Sequence, residues 1–262
     1  MNDQSAARMP VVFVSHGAPD ALLKSPEVVR HWADIGRCMP APRAILAVSA
    51  HWESRVPTAS LAGAPETLHD FAGFAPALFR MRYPAPGAPA LAERAAHLLA
   101  AAGIAADLHP TRGLDHGAWV PLTAMFPQAQ LPVTQLSVAR QSPAAHYAVG
   151  QALAPLRDAG VLILASGAIT HNFDWIDWAA ADDAPPLPAA LGFADWVAER
   201  LAAGDNAALL DYRAAPNGAA AHPTEEHLLP LFVAMGAGDG VPALQRPPFA
   251  YGGLAMDAYL WN

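Results

Sequence analysis

Four histidines stand where the chain leaves or turns between short apolar runs, and a fifth lies at the head of a helical stretch. His16 follows VVFVS and precedes Gly17, His51 ends AILAVSA, and His171 follows VLILASGAIT and precedes Asn172. His116 lies in the glycine-flanked stretch RGLDHGAW, and His227 in PTEEHLLPL. Imidazole is the commonest metal ligand, and its pKa near neutrality also makes it the usual proton carrier. Three chemistries are open. Each histidine can simply hydrogen-bond its own loop. Several together can hold zinc with one position open, which lowers the pKa of bound water to about 7. That would make a hydrolase of small carbonyl substrates, with Glu225, Glu226 or Asp115 as its base. Alternatively they hold non-haem iron(II), with positions left for substrate and dioxygen together. Ligand type does not choose, because imidazole suits both metals. A non-catalytic metal-binding protein would use the same donors.

Something must bring these side chains together, and the apolar runs say what. Runs of this length that do not alternate read as strands buried on both faces, the mark of a parallel sheet covered by helices. In an open α/β sheet, ligands bind outside the carboxyl ends of the strands. The expected fold is therefore a single α/β domain over residues 1–262, with a mostly parallel central sheet flanked by helices and the active site at the strand C-terminal ends. Residues 1–9 read as a loose tail.

Along the chain, strand 11–14, helix 26–37 and the strand ending at His51 form a β-α-β unit, with Ser25 as N-cap and Pro26 in the first turn. Residues 55–89 are irregular and proline-rich, and read as a lid or wall over the crevice. Helix 89–102, a short strand at 104–108, helix 121–126 and strand 132–138 follow. Helix 143–159 has Ser142 as cap and Gly160 just past its end. After the strand leading to His171, residues 174–188 read as a surface excursion. Helices are expected over 191–203, 207–212 and 223–235, the last kinked at Pro230, and a final strand over 254–260 at the sheet edge. His97 and His146 lie in alanine-rich helical stretches and read as surface residues.

Composition narrows the partners. The chain has 262 residues, 53% of them hydrophobic, and a net charge of −8. Nucleic-acid binding needs clustered Lys and Arg, which are absent. Cys38 is the single cysteine, so there is no intrachain disulfide and no thiolate metal cluster. MNDQSAARMP carries no signal-peptide pattern and no apolar run reaches membrane-spanning length. The expectation is a cytoplasmic protein without membrane or nucleic-acid partners, a monomer or small homo-oligomer. Ser49 and Ser166 lie outside any G-x-S-x-G elbow, and no glycine-rich phosphate loop follows a strand.

Seven motifs in order resemble one family. They are SHGAP (15–19), SAHW (49–52), HDFAGF (69–74), YPAPG (83–87), LDHGAW (114–119), SGAITHN (166–172) and PTEEHLLPL (223–231). The series is similar to the LigB-like class III extradiol ring-cleavage dioxygenases of the DOPA 4,5-dioxygenase type, over residue 10 to the C-terminus. The resemblance implies an α/β domain with a mononuclear metal, Fe(II) for activity, with Zn(II) in some isolated members. It implies metal ligands at His16, His51 and His227, with Glu225 or Glu226 as rivals to His227. His171 would be a further ligand or the acid/base, and His116 a second catalytic histidine. His69, Phe71, Trp119 and His222 would bind substrate, with Phe74 and Trp52 as further ring contacts. The implied substrates are a DOPA-like catechol and dioxygen, and the implied product is a muconic semialdehyde. For a substrate carboxylate, Arg80, Arg82 and Arg112 are the candidate partners near the proposed lid.

Overall fold

A computed structural model describes residues 8–180 and 184–262. Eight strands form one sheet: β1 (Val11–Ser15), β2 (Ala44–Ser54), β3 (Thr58–Ser60), β4 (Asp107–His109), β5 (Val133–Ala139), β6 (Val161–Gly167), β7 (Ala243–Gln245) and β8 (Ala258–Trp261). Their order across the sheet is β4-β3-β5-β2-β6-β1-β8-β7. The central four, β5-β2-β6-β1, are all parallel, so their carboxyl ends share one edge. β3 on β5, and β8 on β1 and on β7, are the antiparallel additions.

The helices are α1 (Ala21–Lys24), α2 (Pro26–Cys38), α3 (Pro89–Ala101), α4 (His116–Met125), α5 (Pro143–Leu153), α6 (Pro188–Ala203), α7 (Asn206–Leu210), α8 (Gly218–Ala221) and α9 (Leu229–Ala237). Strand side chains alternate between the two faces of the sheet. Val11, Phe13, Leu46, Val48 and Ile163 meet α3, α5, α6 and α9 on one face. Val12, Val14, Ile45, Ala47, Leu162 and Leu164 meet α2 and α4 on the other. Burial on both sides is why these strands read as continuous apolar runs. Among the described residues, no helix is long and apolar enough to cross a membrane.

Several expectations are corrected. β1 and β2 are not neighbours, because β6 lies between them and pairs with both. The strand expected at 104–108 is the edge strand Asp107–His109, and β3 arises inside the segment read as irregular. The last strand is Ala258–Trp261; it pairs with β1 and is itself covered by β7, so it is not the edge. The helix expected from 223 starts only at Leu229, which puts Pro230 in its first turn. A proline there removes no intrahelical hydrogen bond, so no kink results. His146 is buried rather than on the surface, with its ring between the Ala139 amide at 3.1 Å and the Ser142 carbonyl at 3.0 Å. Residues 1–7 of the expected tail lie outside the described residues; Met9 is buried and bonded to Arg157.

His222 belongs to the core. Its ring is fully buried, donates from Nε2 to the Ile169 carbonyl at 2.8 Å, and packs edgewise on Phe193 and Tyr212. Burial pulls its pKa down to about 4. The unfolded chain binds this proton near pH 6.5 and the folded chain does not, so stability present above 6.5 is lost as pH falls towards 4. The loss assignable to His222 is ~3 kcal/mol between pH 7 and pH 4. Urea unfolding of wild type and His222→Gln at both pH values measures it: the wild type should lose that much more than the variant.

Candidate metal centre and substrate cavity

The parallel edge delivers the histidines by three different devices. His16 is the residue after β1, and its amide is fixed to the Gly167 carbonyl at 2.9 Å. His51 is not at a strand end. The register of β2 on β5 steps from Ser49 opposite Ser137 to Glu53 opposite Val138, so Ala50, His51 and Trp52 bulge out of the ladder. A bulge re-aims side chains without ending the strand. His227 comes from the turn before α9, and its carbonyl accepts the Ala168 amide at 2.8 Å. Gly167 permits that approach, because a Cβ there would collide with the His227 carbonyl.

Three imidazoles converge at the edge. Nε2 of His51 lies 2.9 Å from Nε2 of His16 and 3.2 Å from Nε2 of His227. Two of the opposite nitrogens are hydrogen-bonded, and the third faces a carboxylate. The Ser166 hydroxyl donates to the Gly117 carbonyl, so it accepts from Nδ1 of His16 at 3.0 Å. Glu226 Oε1 accepts from Nδ1 of His227 at 2.9 Å, and Asp70 Oδ2 lies 3.5 Å from Nδ1 of His51. With the protons on the Nδ1 atoms, three bare Nε2 lone pairs face one another. Burial, reinforced by the crowding of neighbouring imidazoles, holds the pKa values of His16 and His227 well below the ordinary value and that of His51 at about 3, so protonation does not relieve the contact at neutral pH. A shared cation does. Nitrogens bound to one metal at about 2.0–2.1 Å stand about 3.0–3.4 Å apart, so the donor set fits a single ion.

Two further histidines border this group. His171 stacks flat on His227 with ring centroids 3.4 Å apart, and burial lowers its pKa. His116 opens α4, where Asp115 is the N-cap and accepts from the Ala118 amide. Asp70 grips His116 twice, at the backbone amide (2.9 Å) and at Nδ1 (3.0 Å). A carboxylate at a helix N-terminus is stabilised by the exposed amides. Burial pushes the Asp70 carboxyl upward, but the bonds and charge of His116 outweigh it and leave it below the usual range.

Asp115 is fully buried and takes hydrogen bonds from Ser49 at 2.6 Å and from Gln135, with Arg112 at 3.4 Å. Arg112 also bonds the His51 carbonyl at 3.2 Å. Asp115 thus shapes the bulge and is removed from any role as a base. Glu225 turns away to Tyr212 and Arg213. Glu226 stands behind His227 rather than in its place.

A cavity of about 610 Å³ opens on the cluster, lined by His51, His116, His171 and His227 with Phe71, Phe74, Phe173 and Trp178. His16 lies beneath it, 1% exposed. Of the residues expected to bind substrate, Phe71 lines the cavity while His69, Trp119 and His222 do not. Trp119 is fully buried and bonds the Leu68 carbonyl, and His69 packs on Phe71 and Trp119 from behind. Residues 70–75 form a wall, as expected of the proline-rich segment. The other wall, Phe173 to Trp178, comes from the stretch read as a surface excursion, whose residues 181–183 lie outside the described residues. Asp70 was missed although it lies inside the HDFAGF motif. Its signal would have been the adjacency of a carboxylate to that aromatic run.

A histidine-held metal position at a parallel sheet edge, facing an aromatic-walled cavity, is the architecture of a metal-dependent enzyme acting on flat substrates. Residues 10–256 match the family described as the catalytic LigB subunit of aromatic ring-opening dioxygenase, and the chain belongs to that family. It is 39% identical over 247 residues to 4,5-DOPA dioxygenase extradiol of Escherichia coli K12, covering 93% of this chain and 90% of that one. It is 41% identical over 236 residues to the 4,5-DOPA dioxygenase extradiol of Beta vulgaris, covering 86% and 85%. A crystal structure of an uncharacterized protein from Escherichia coli K12 superposes with a TM-score of 0.80 at 35% identity, covering 97% of this chain and all of that one.

Glu226→Gln should weaken divalent-metal affinity by about 10–100-fold, because partners that orient a ligating histidine carry effects of that size. Competition against a chromophoric chelator measures it, and an unchanged affinity would remove Glu226 from the centre.

Proposed function

We propose that the metal is iron(II), that His16, His51 and His227 hold it, and that the substrate is a DOPA-like catechol whose ring is opened beside the diol. The enzyme is an extradiol ring-opening dioxygenase of a catechol-type substrate. The observation that carries the ligand assignment is the convergence of three bare Nε2 atoms, two of whose Nδ1 atoms are hydrogen-bonded while the third faces a carboxylate. When bound, iron(II) supplies the redox chemistry that dioxygen needs and that zinc lacks.

The rest is done by side chains of this chain, with residues 1–262 acting as a single catalytic domain. Phe71, Phe74 and Trp178 offer faces and edges to the substrate ring, and the apolar walls exclude water. A catechol must give up hydroxyl protons before its ring is electron-rich enough to react with dioxygen. His171 faces the cavity and is neutral at pH 7, so a ring nitrogen is free to take a proton. His116 is the second carrier: Asp70 occupies its Nδ1, which leaves Nε2 to accept a proton or to donate one as the ring opens. Both oxygen atoms of dioxygen end in the product, a muconic semialdehyde, so no external reductant is required. Among the described residues the cavity carboxylates are Asp70, committed to His116, and Asp20, whose Oδ2 meets Tyr251 and Lys24.

Anaerobic loading with Fe(II), followed by dioxygen uptake with a catechol panel that includes DOPA, tests the reading. Uptake should match a yellow ring-opened product one to one. Metal loading without uptake on any catechol would sink it. His16→Ala and His51→Ala should each lose stoichiometric metal, while His116→Ala keeps it and loses about 10²–10⁴-fold in kcat, the usual contribution of a positioned acid/base. Stoichiometric metal in both ligand variants would overturn the ligand set. Asp70→Asn should also lower kcat more than it raises KM, because an amide can meet Nδ1 of His116 with either its oxygen or its nitrogen and no longer enforces one tautomer.

A further inference from the structure

The three arginines expected to meet a substrate carboxylate are spent elsewhere. Arg82 bonds the Phe79 and Met81 carbonyls, Arg112 supports His51 and Asp115, and Arg80 does not line the cavity. Among the residues that do line it, the charged ones are Asp20, Lys24 and Asp70. Among the described residues, Lys24 is therefore the one Lys or Arg lining the cavity. Asp70 is occupied by His116, so away from the metal position the side chain among the described lining residues that can pair with an anionic tail is Lys24.

Lys24 has a side chain that is 59% exposed and a carboxylate partner. It ends α1, and its Nζ lies 3.0 Å from Oδ2 of Asp20, one turn earlier. Asp20 is 3% exposed and accepts a second bond from the Tyr251 hydroxyl at 2.7 Å. Tyr251 adopts a left-handed backbone at φ 51°, unusual for a side chain of that size, and its ring lies 5.7 Å beneath Nζ. Trp178, on the opposite wall, packs on the same ring at 5.0 Å. An ammonium has three donors, and Asp20 uses one. The segment running from His16 through Asp20 to Lys24 thus carries both a proposed metal-ligating imidazole and a cation that lines the cavity.

We infer that Lys24 is a specificity-determining residue that pairs with a carboxylate on the side chain of the catechol, so that this enzyme selects ring substrates with an anionic tail. The inference rests on the catechol reading above. It places the ring against the histidines and Phe71, and the tail towards α1. The opposing chemistry is an amine tail drawn to Asp20, whose Oδ1 is buried without a hydrogen-bond partner.

The test separates binding from turnover. Anaerobic metal-loaded enzyme is titrated with 3-(3,4-dihydroxyphenyl)propanoate, 4-(2-aminoethyl)catechol and 4-methylcatechol, read by tryptophan fluorescence, since Trp178 lines the cavity. Wild type should prefer the propanoate over 4-methylcatechol. In Lys24→Met that preference should fall about tenfold, Lys24→Arg should keep most of it, and Lys24→Glu should turn it towards the aminoethyl compound. Oxygen uptake with the same compounds should show the change in KM rather than in kcat. A wild type that binds the propanoate no better than 4-methylcatechol, or a preference that survives in Lys24→Met, overturns the assignment. Selective binding with no oxygen uptake would leave Lys24 as the tail-binding residue and bring down the ring-opening reading instead.

Discussion

Three imidazole Nε2 atoms converge at one sheet edge, and much of this structure serves to aim them. Left alone, the rings would rotate apart or share a proton. Ser166, Glu226 and Asp70 lie against the other nitrogens, and burial disfavours protonation of the cluster. The electrostatic cost of that arrangement is offset when a metal binds. The fold therefore stores affinity for a divalent ion in groups that are individually neutral.

The sheet makes this possible by holding the donors on rigid elements. β1 and β2 flank β6, so His16, the bulge of His51 and the Ser166 hydroxyl arise from three adjacent parallel strands. The Gly167 contact locks the turn of His227 against the same edge. Anchoring the histidines at the ends and bulge of strands leaves little further entropy to lose if they bind a metal, because the strands are already ordered by two faces of packed side chains.

Recognition is built from loops leaving the same edge. The loop after His16 carries Asp20 and Lys24, and the proline-rich wall carries Phe71, Phe74 and Asp70. Asp70 joins that wall to His116 and His51, so the wall is tied to the histidine cluster. Aromatic rings supply a flat apolar surface, and among the described residues Lys24 is the lysine or arginine that lines it.

The parallel sheet and the histidines of its edge were legible in the chain itself, since apolar runs too short for helices and ending in Ser-His, Ala-His or Gly-x-x-x-His reflect strands buried on both faces. Ser142 and Gly160 marked the bounds of α5 and its 3₁₀ extension for equally local reasons. What local pattern did not carry was which side chains lie back to back. Trp119 and His222 have the chemistry of cavity residues, yet packing turned both into the core. Glu226 beside His227, and Asp70 far from His116 in sequence, became orienting groups only when the chain closed. The residue types that hold a metal are a property of sequence. Whether each nitrogen faces a cavity, a carboxylate or another nitrogen depends on rotamers and register, which contacts between distant segments decide.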